Sequence, residues 1–395
     1  MPERPGLLTR DFVVVTLAAA FFMISFGATL PVLPRYVADG LGESDVAVGI
    51  VMGATAVSAI VLRPAIGRAG DRRGRRSLLV AGALVTAVGM AAHVPASSVP
   101  LLVVARLVVG AGQGALFVGA ATLVNDLAPP DQRGQAASYF SVAIYVGLGF
   151  GPFLGEWLLT RTSFDAVWWA VVCGLVVSAV VGLAAPIGLP EVDPDEPPPV
   201  ARTGLARLLH PAAVGPGTVL FLGVVGFVGF NTFVPLHGEE IGLDDVAAVF
   251  LLFSFVVLVV RLTGSRLPDA HGPIVIGTVA LVASMIGLVG IAAWRAPIGL
   301  YVFTVALAVG SALLYPALMA AAVNAAPDNE RSSAVATFTM FFEVATALGG
   351  AVLGVVASLS SYSGAFFTAA LFSLAGLVVL HVRLARRLEV GSPHV

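Results

Sequence analysis

The chain repeatedly returns to apolar runs of about 20 residues, the length at which one helix crosses the hydrocarbon core of a bilayer. Twelve such runs are read at about 11–34, 45–68, 76–94, 98–125, 133–159, 165–187, 213–236, 245–266, 273–294, 297–323, 331–357 and 363–383. Only 11% of the 395 residues are charged and 58% are hydrophobic. Soluble domains carry roughly 25% charged residues, so most of this surface is built to meet lipid. The first run follows Arg4 and Arg10; it is too long for the apolar region of a signal peptide, lacks a clear cleavage site, and is read as helix 1. The lone Cys173 allows no internal disulfide and no thiolate cluster.

The arginines set the expected orientation. There is no lysine, and 15 of the 21 arginines fall in segments that are cytoplasmic when the N-terminus is inside. These are Arg4, Arg10, Arg68, Arg72, Arg73, Arg75, Arg76, Arg133, Arg202, Arg207, Arg266, Arg331, Arg383, Arg386 and Arg387. Arg35, Arg161 and Arg295 are assigned to outer loops, and Arg63, Arg106 and Arg261 to spans. Because short basic loops stay on the cytoplasmic side, both termini are expected in the cytoplasm of a multi-pass plasma or inner membrane protein.

The longest polar break holds Glu191-Val192-Asp193-Pro194-Asp195-Glu196 followed by Pro197, Pro198 and Pro199. Acid and proline make a solvated, extended linker. The expected organisation is therefore a six-helix bundle at 1–188, a cytoplasmic linker at 189–211 and a second six-helix bundle at 212–395. The halves repeat at a shift of about 198–200 residues: the segment Asn125–Arg133 is echoed by Asn324–Arg331, and Arg63, Asp71 and Gly74 by Arg261, Asp269 and Gly272. Parallel six-helix repeats build one large class of secondary transporter. An all-α membrane protein of two pseudo-symmetric bundles follows.

Between runs two and three lies Gly67-x-x-x-Asp71-Arg72-x-Gly74-Arg75-Arg76. This resembles the loop motif of the major facilitator superfamily, and the resemblance extends over essentially the whole chain. The second copy, with Gly264, Pro268, Asp269, His271 and Gly272, is degraded. The resemblance implies a conformational latch of Gly67, Asp71, Arg72, Gly74, Arg75, Arg76 and Asp126, with Arg75 bridging Asp71 and Asp126. A plain charged turn that only fixes topology would carry the same residues.

Run four contains Arg106-x-x-x-Gly110-x-Gly112, similar to a second motif of that family whose arginine is linked to proton movement or to orienting substrate. An arginine near mid-span costs about 2.5–3.5 kcal/mol on insertion scales, so it faces a cavity or partner unless it snorkels to the interface. Run five carries Gly147-x-x-x-Gly151-Pro152-x-x-Gly155-Glu156, which resembles the motif of proton-coupled exporters, with Glu156 in place of its last glycine. Gly147, Gly151 and Gly155 share one face and are expected to meet a helix of the other half. Pro152 frees a carbonyl and bends the helix.

Proton coupling needs a titratable group with access to the cavity. The span from Phe12 to Pro34 holds no acid, which leaves Glu343 as the candidate carrier, Arg106 as its associate and Glu156 as a second, solvated site. Asn231, Gln113 and Tyr145 are candidate polar groups of the substrate cavity, and Phe22, Phe26, Phe341 and Phe342 its apolar walls. The expected function is proton-coupled efflux of small amphipathic molecules such as a drug or natural product, by a monomer using alternating access about a midplane site. Sugar or amino-acid export is the alternative within the fold; proton-driven import is disfavoured by Gly151-Pro152, and a membrane enzyme or sensor by the lack of a catalytic cluster. No cofactor, catalytic residue, metal or nucleic-acid partner is expected: the chain has no phosphate-binding loop and no metal-binding histidine motif, so the proton gradient is the energy source.

Overall fold

In the computed structural model, residues 8–129, 133–187, 209–264, 271–327 and 331–385 are described. Among these residues the fold is all helical, with no strands. Twelve long α-helices follow one another among these residues: α1 Arg10–Arg35, α2 Asp45–Arg73, α3 Arg75–Ala91, α4 Val99–Leu127, α5 Arg133–Leu159, α6 Phe164–Leu183, α7 Pro211–Glu240, α8 Ala247–Gly264, α9 Pro273–Ala293, α10 Pro297–Asn324, α11 Arg331–Leu359 and α12 Tyr362–Val379. Ten stretches are long and apolar enough to cross a membrane. The helices outside that set are α3, which at 17 residues is about 26 Å long, and α5, several of whose side chains lie outside the described residues.

The caps follow from sequence. Thr9 Oγ1 accepts from the Phe12 amide at 3.3 Å, Ser163 caps α6 through Ala166 and Ser361 caps α12 through Gly364. Proline opens α7, α9 and α10 in their first turns, where its missing N–H has no intrahelical role.

The chain divides into two compact units, Met1–Glu43 with Ile50–Asp193 and Asp245–Ser254, and Ser44–Gly49 with Pro194–Asp244 and Phe255–Val395. The expected 189–211 linker lies almost wholly outside the described residues. Within the first unit α1 packs on α5 and α6, and α3 on α4 and α6; within the second α7 packs on α11 and α12, and α9 on α10 and α12. Each pair in one unit has its counterpart six helices on, so the duplication seen in sequence is also a duplication of packing. Each unit has a closed interior. Tyr36, just past α1, donates its hydroxyl to the Ala96 carbonyl at 2.8 Å, and its ring meets Phe164 and Trp168 edge-on. The second unit buries Val219, Leu220, Leu281, Leu314, Leu318 and Phe338 in one cluster. Outward, Val61, Val88, Val180, Phe255 and Leu262 stand 61–68% exposed, an apolar surface suited to lipid. The protein is a multi-pass membrane protein.

The duplicated loop survives as backbone geometry. Gly74 caps α3 at φ 83°, ψ 153°, and Gly272 caps α9 at φ 80°, ψ 154°. This region is essentially closed to residues with a Cβ and costs them about 1–3 kcal/mol. At Gly74 an added Cβ would also lie 2.8 Å from the Ile187 carbonyl oxygen, whereas at Gly272 nothing lies within 4 Å. Gly74→Ala is therefore expected to lower the melting temperature of purified protein more than Gly272→Ala does; equal losses would show that backbone strain alone matters.

Candidate functional site

The glycine stripe of α5 is a docking face for α1. Gly27 of α1 sits so close to α5 that an added Cβ would lie 2.8 Å from the Gly147 oxygen, 3.1 Å from Pro152 Cδ and 3.3 Å from Gly151 Cα. In return Gly147 faces Met23 and Ile24, Gly151 faces Ile24, Gly27 and Ala28, and Gly155 faces Ala28. The expectation of a contact with the other half is thus corrected: the stripe is matched by the small residues of α1 in the same unit, at the same one-turn spacing.

The glycines of the Arg106 motif do similar work on two sides of α4. Gly110 presses against the Thr55 carbonyl and Ser58 of α2, and Gly112 against Gly82 and Thr86 of α3. Arg106 lies one turn earlier, seven residues into the helix or about 10 Å from its start. It does not snorkel. Its side chain is 1% exposed, with Nη2 donating to Thr55 Oγ1 at 3.2 Å and the guanidinium carbon 5.8 Å from the Phe26 ring centroid. Nε and Nη1 are buried and have no hydrogen-bond partner among the described residues. Thr55 in turn donates to the Met52 carbonyl at 3.2 Å. Thr55 and Ser58 were not singled out from sequence; small hydroxyl residues in an apolar run carry no signal until a partner helix is known.

Glu156 departs most from its expected setting. It is 0% exposed and its Oε1 lies 2.9 Å from Nη1 of Arg35, itself 7% exposed. The solvated second site is corrected to a buried ion pair, and Arg35 moves from an outer loop to the last turn of α1. The physical reason is the close approach at Gly155 and Ala28, which carries the ends of α1 and α5 inward together.

At the opposite end of the unit Arg75 forms an ion pair with Asp126, joining the start of α3 to the end of α4. Arg72 is exposed, and Arg76 Nη1 donates to the Ala185 carbonyl at 3.4 Å. The side chains of Gly67, Asp71 and Tyr145 lie outside the described residues, so the bridge from Arg75 to Asp71 is not described.

The remaining cavity candidates divide. Phe22 is fully buried, its ring parallel to that of Phe26 at 6.3 Å, which makes it packing within the unit and not a wall. Gln113 is half-buried on α4. In the second unit Asn231 is 6% exposed and donates to the Phe227 carbonyl of its own helix at 2.9 Å. Phe341 and Phe342 are half-buried on α11, Phe341 lying against Gly217 and Phe342 edge-on to Tyr315. Glu343 follows them, half-buried, with Oε2 shielded from solvent. A further polar group went unpredicted: His237 approaches Glu240 at 3.4 Å, and Arg295 approaches the same carboxylate at 3.2 Å. Among the described residues no group of three or more His, Cys, Asp or Glu is arranged to hold a metal.

Twelve apolar helices in a duplicated packing scheme, with Arg106 sealed inside the first repeat, make the architecture of a secondary transporter. Residues 15–298 and 278–394 match the Major Facilitator Superfamily, and the chain belongs to it. An uncharacterised MFS-type transporter of Salmonella typhimurium is 28% identical over 392 residues, covering 95% of this chain and 98% of its own. Among solved structures, the human organic anion transporter MFSD10 (TETRAN) is similar with a TM-score of 0.70 at 19% identity, covering 95% of this chain and 100% of its own. A POT family transporter in complex with 5-aminolevulinic acid gives a TM-score of 0.77 at 13% identity, with 97% of each chain covered.

Removing one partner of a buried ion pair typically costs about 3–5 kcal/mol, while replacing both by apolar groups is often neutral. Glu156→Gln is expected to lower the thermal stability of purified protein sharply, and the double change Arg35→Met with Glu156→Leu to restore most of it. A single variant as stable as wild type would contradict the buried pair.

Proposed function

We propose that this transporter exports small amphipathic molecules in exchange for protons. The observation that carries the reading is the sealed guanidinium of Arg106. A charge buried in a span with two unused donors costs several kcal/mol, more than packing alone would retain. Such a group suits a site in which a carboxylate or a substrate completes the hydrogen bonding during part of a cycle. Glu343 is the proposed proton carrier, since a carboxyl in a mostly apolar span can bind a proton from one side and release it to the other. The direction, outward, is supported by the Gly147–Gly155 motif with Pro152, which resembles that of proton-coupled exporters. The loop from Gly67 to Arg76 is proposed to act as a latch, with Arg75–Asp126 as its tie within the first unit. Both termini and the loop are proposed to face the cytoplasm, from the distribution of arginines.

A second reading concerns the cargo. The unused donors of Arg106 favour a substrate bearing a carboxylate or similar anion, and one structural neighbour is described as an organic anion transporter.

The test is expression in a host stripped of its own pumps, with growth scored against a panel of neutral, cationic and anionic compounds. Protection against at least one amphipathic compound is expected. Glu343→Gln should leave expression intact while removing the dependence of export on the pH gradient, and retained dependence would exclude Glu343 as carrier. Arg106→Ala should slow export by roughly 10- to 100-fold, the value of a charge-assisted hydrogen bond. A loss confined to anionic compounds supports the second reading, and an equal loss for all compounds supports the first.

A further inference from the structure

A cavity of about 320 Å³ opens where the start of α3 meets the end of α6, and Arg106 is not among its lining residues. That size is at the lower end of small-molecule sites. Its polar rim is Arg73, Arg76 and Ser77, and its floor includes Val80, Leu84 and Leu183. The rim is held by the chain returning from α6, where the Arg76 amide donates to the Ile187 oxygen at 3.2 Å and its Nη1 to the Ala185 oxygen at 3.4 Å, and by the first turn of α3, where Ser77 Oγ donates to the Gly74 oxygen at 2.6 Å. Arg75, between them in sequence, is neutralised by Asp126. Neither Arg73 nor Arg76 has a carboxylate partner among the described residues.

The floor continues as two apolar tracks. On α3, Leu84 and Val88 are 45% and 67% exposed, each one turn beyond the last and in line with Val80. On α6, Val176, Val180 and Leu183 are 40%, 61% and 58% exposed. From Arg76 to Val88 the helix rises about 18 Å, close to one leaflet of a hydrocarbon core about 30 Å thick. Two guanidiniums over a furrow one acyl chain long match an amphiphile with an anionic head.

We propose that this furrow is a binding site for one anionic phospholipid, its phosphate held by Arg73 and Arg76 and one acyl chain lying along Val80, Leu84 and Leu183. Guanidinium matches phosphate in a planar, two-bond geometry, and arginines at the membrane surface draw anionic headgroups. Among the described residues no acid lies at the rim, which favours an anionic head over a zwitterionic one. The inference rests on the chain spanning a membrane and not on what it carries or in which direction.

The test is native mass spectrometry of the full-length purified protein titrated with phosphatidylglycerol, with phosphatidylcholine and inorganic phosphate in parallel arms. One tight phosphatidylglycerol is expected, weakened about thirtyfold in Arg73→Ala/Arg76→Ala, which is about 1 kcal/mol per arginine. The Arg73→Lys/Arg76→Lys variant keeps the charge and should lose less, while matched melting curves establish that both variants are folded. Equal binding of phosphatidylcholine, or an unchanged Ala variant, overturns the proposal. So does inorganic phosphate binding as tightly as the lipid, which would make the rim a simple anion site. If phosphatidylglycerol binds only after Glu191, Asp193, Asp195 and Glu196 are changed to their amides, the chain's own acidic segment is the occupant and the lipid reading fails.

Discussion

In hydrocarbon the tails of lipid are as apolar as leucine, so helices gain little by hiding apolar surface from one another. They are held by close packing and by the few polar contacts that close packing permits. The first unit depends on this at its glycines. Gly27 against Gly147, Gly151 and Pro152 fixes α1 on α5, while Gly110 and Gly112 fix α4 on α2 and α3. A methyl group at most of these positions would meet backbone atoms, which cannot turn aside as a side chain can.

That packing decides where the charges sit. With α4 drawn onto α2, Arg106 has no route to the interface and reaches Thr55 and Phe26 instead. With α5 drawn onto α1, Arg35 and Glu156 are carried inside together as an ion pair. The two arginines buried among the described residues therefore differ in kind. One is matched by an acid and serves as structure, whereas the other keeps unused donors and is the group around which transport is proposed to turn. Arg73, at the end of α2, and Arg76, at the start of α3, are not buried and belong to neither class.

The twelve helices, the duplication and the small-residue motifs were legible because each is written in local pattern: run length, a repeated shift and glycine spacing. Gly74 and Gly272 illustrate this best, since a pair aligned from sequence proved to share one unusual backbone conformation. What could not be read was which neighbour each motif meets. The Gly147–Gly155 face suits any helix with small residues, and only the tertiary arrangement selects Gly27 and Ala28 of α1. Glu156 looked like an exposed outer acid because its partner, Arg35, is 121 positions away and was itself counted with a loop. Thr55 and Ser58 gave no signal for the same reason.

The central claim, proton-driven efflux that depends on Arg106, is tested most directly in everted membrane vesicles loaded with acid and offered a compound against which the protein protects cells. The account predicts accumulation in the lumen that follows the imposed pH gradient, collapses when an uncoupler is added, and falls at least tenfold in Arg106→Ala inserted at equal amount. Accumulation that ignores the gradient, that occurs only in right-side-out vesicles, or that survives Arg106→Ala undiminished would contradict it.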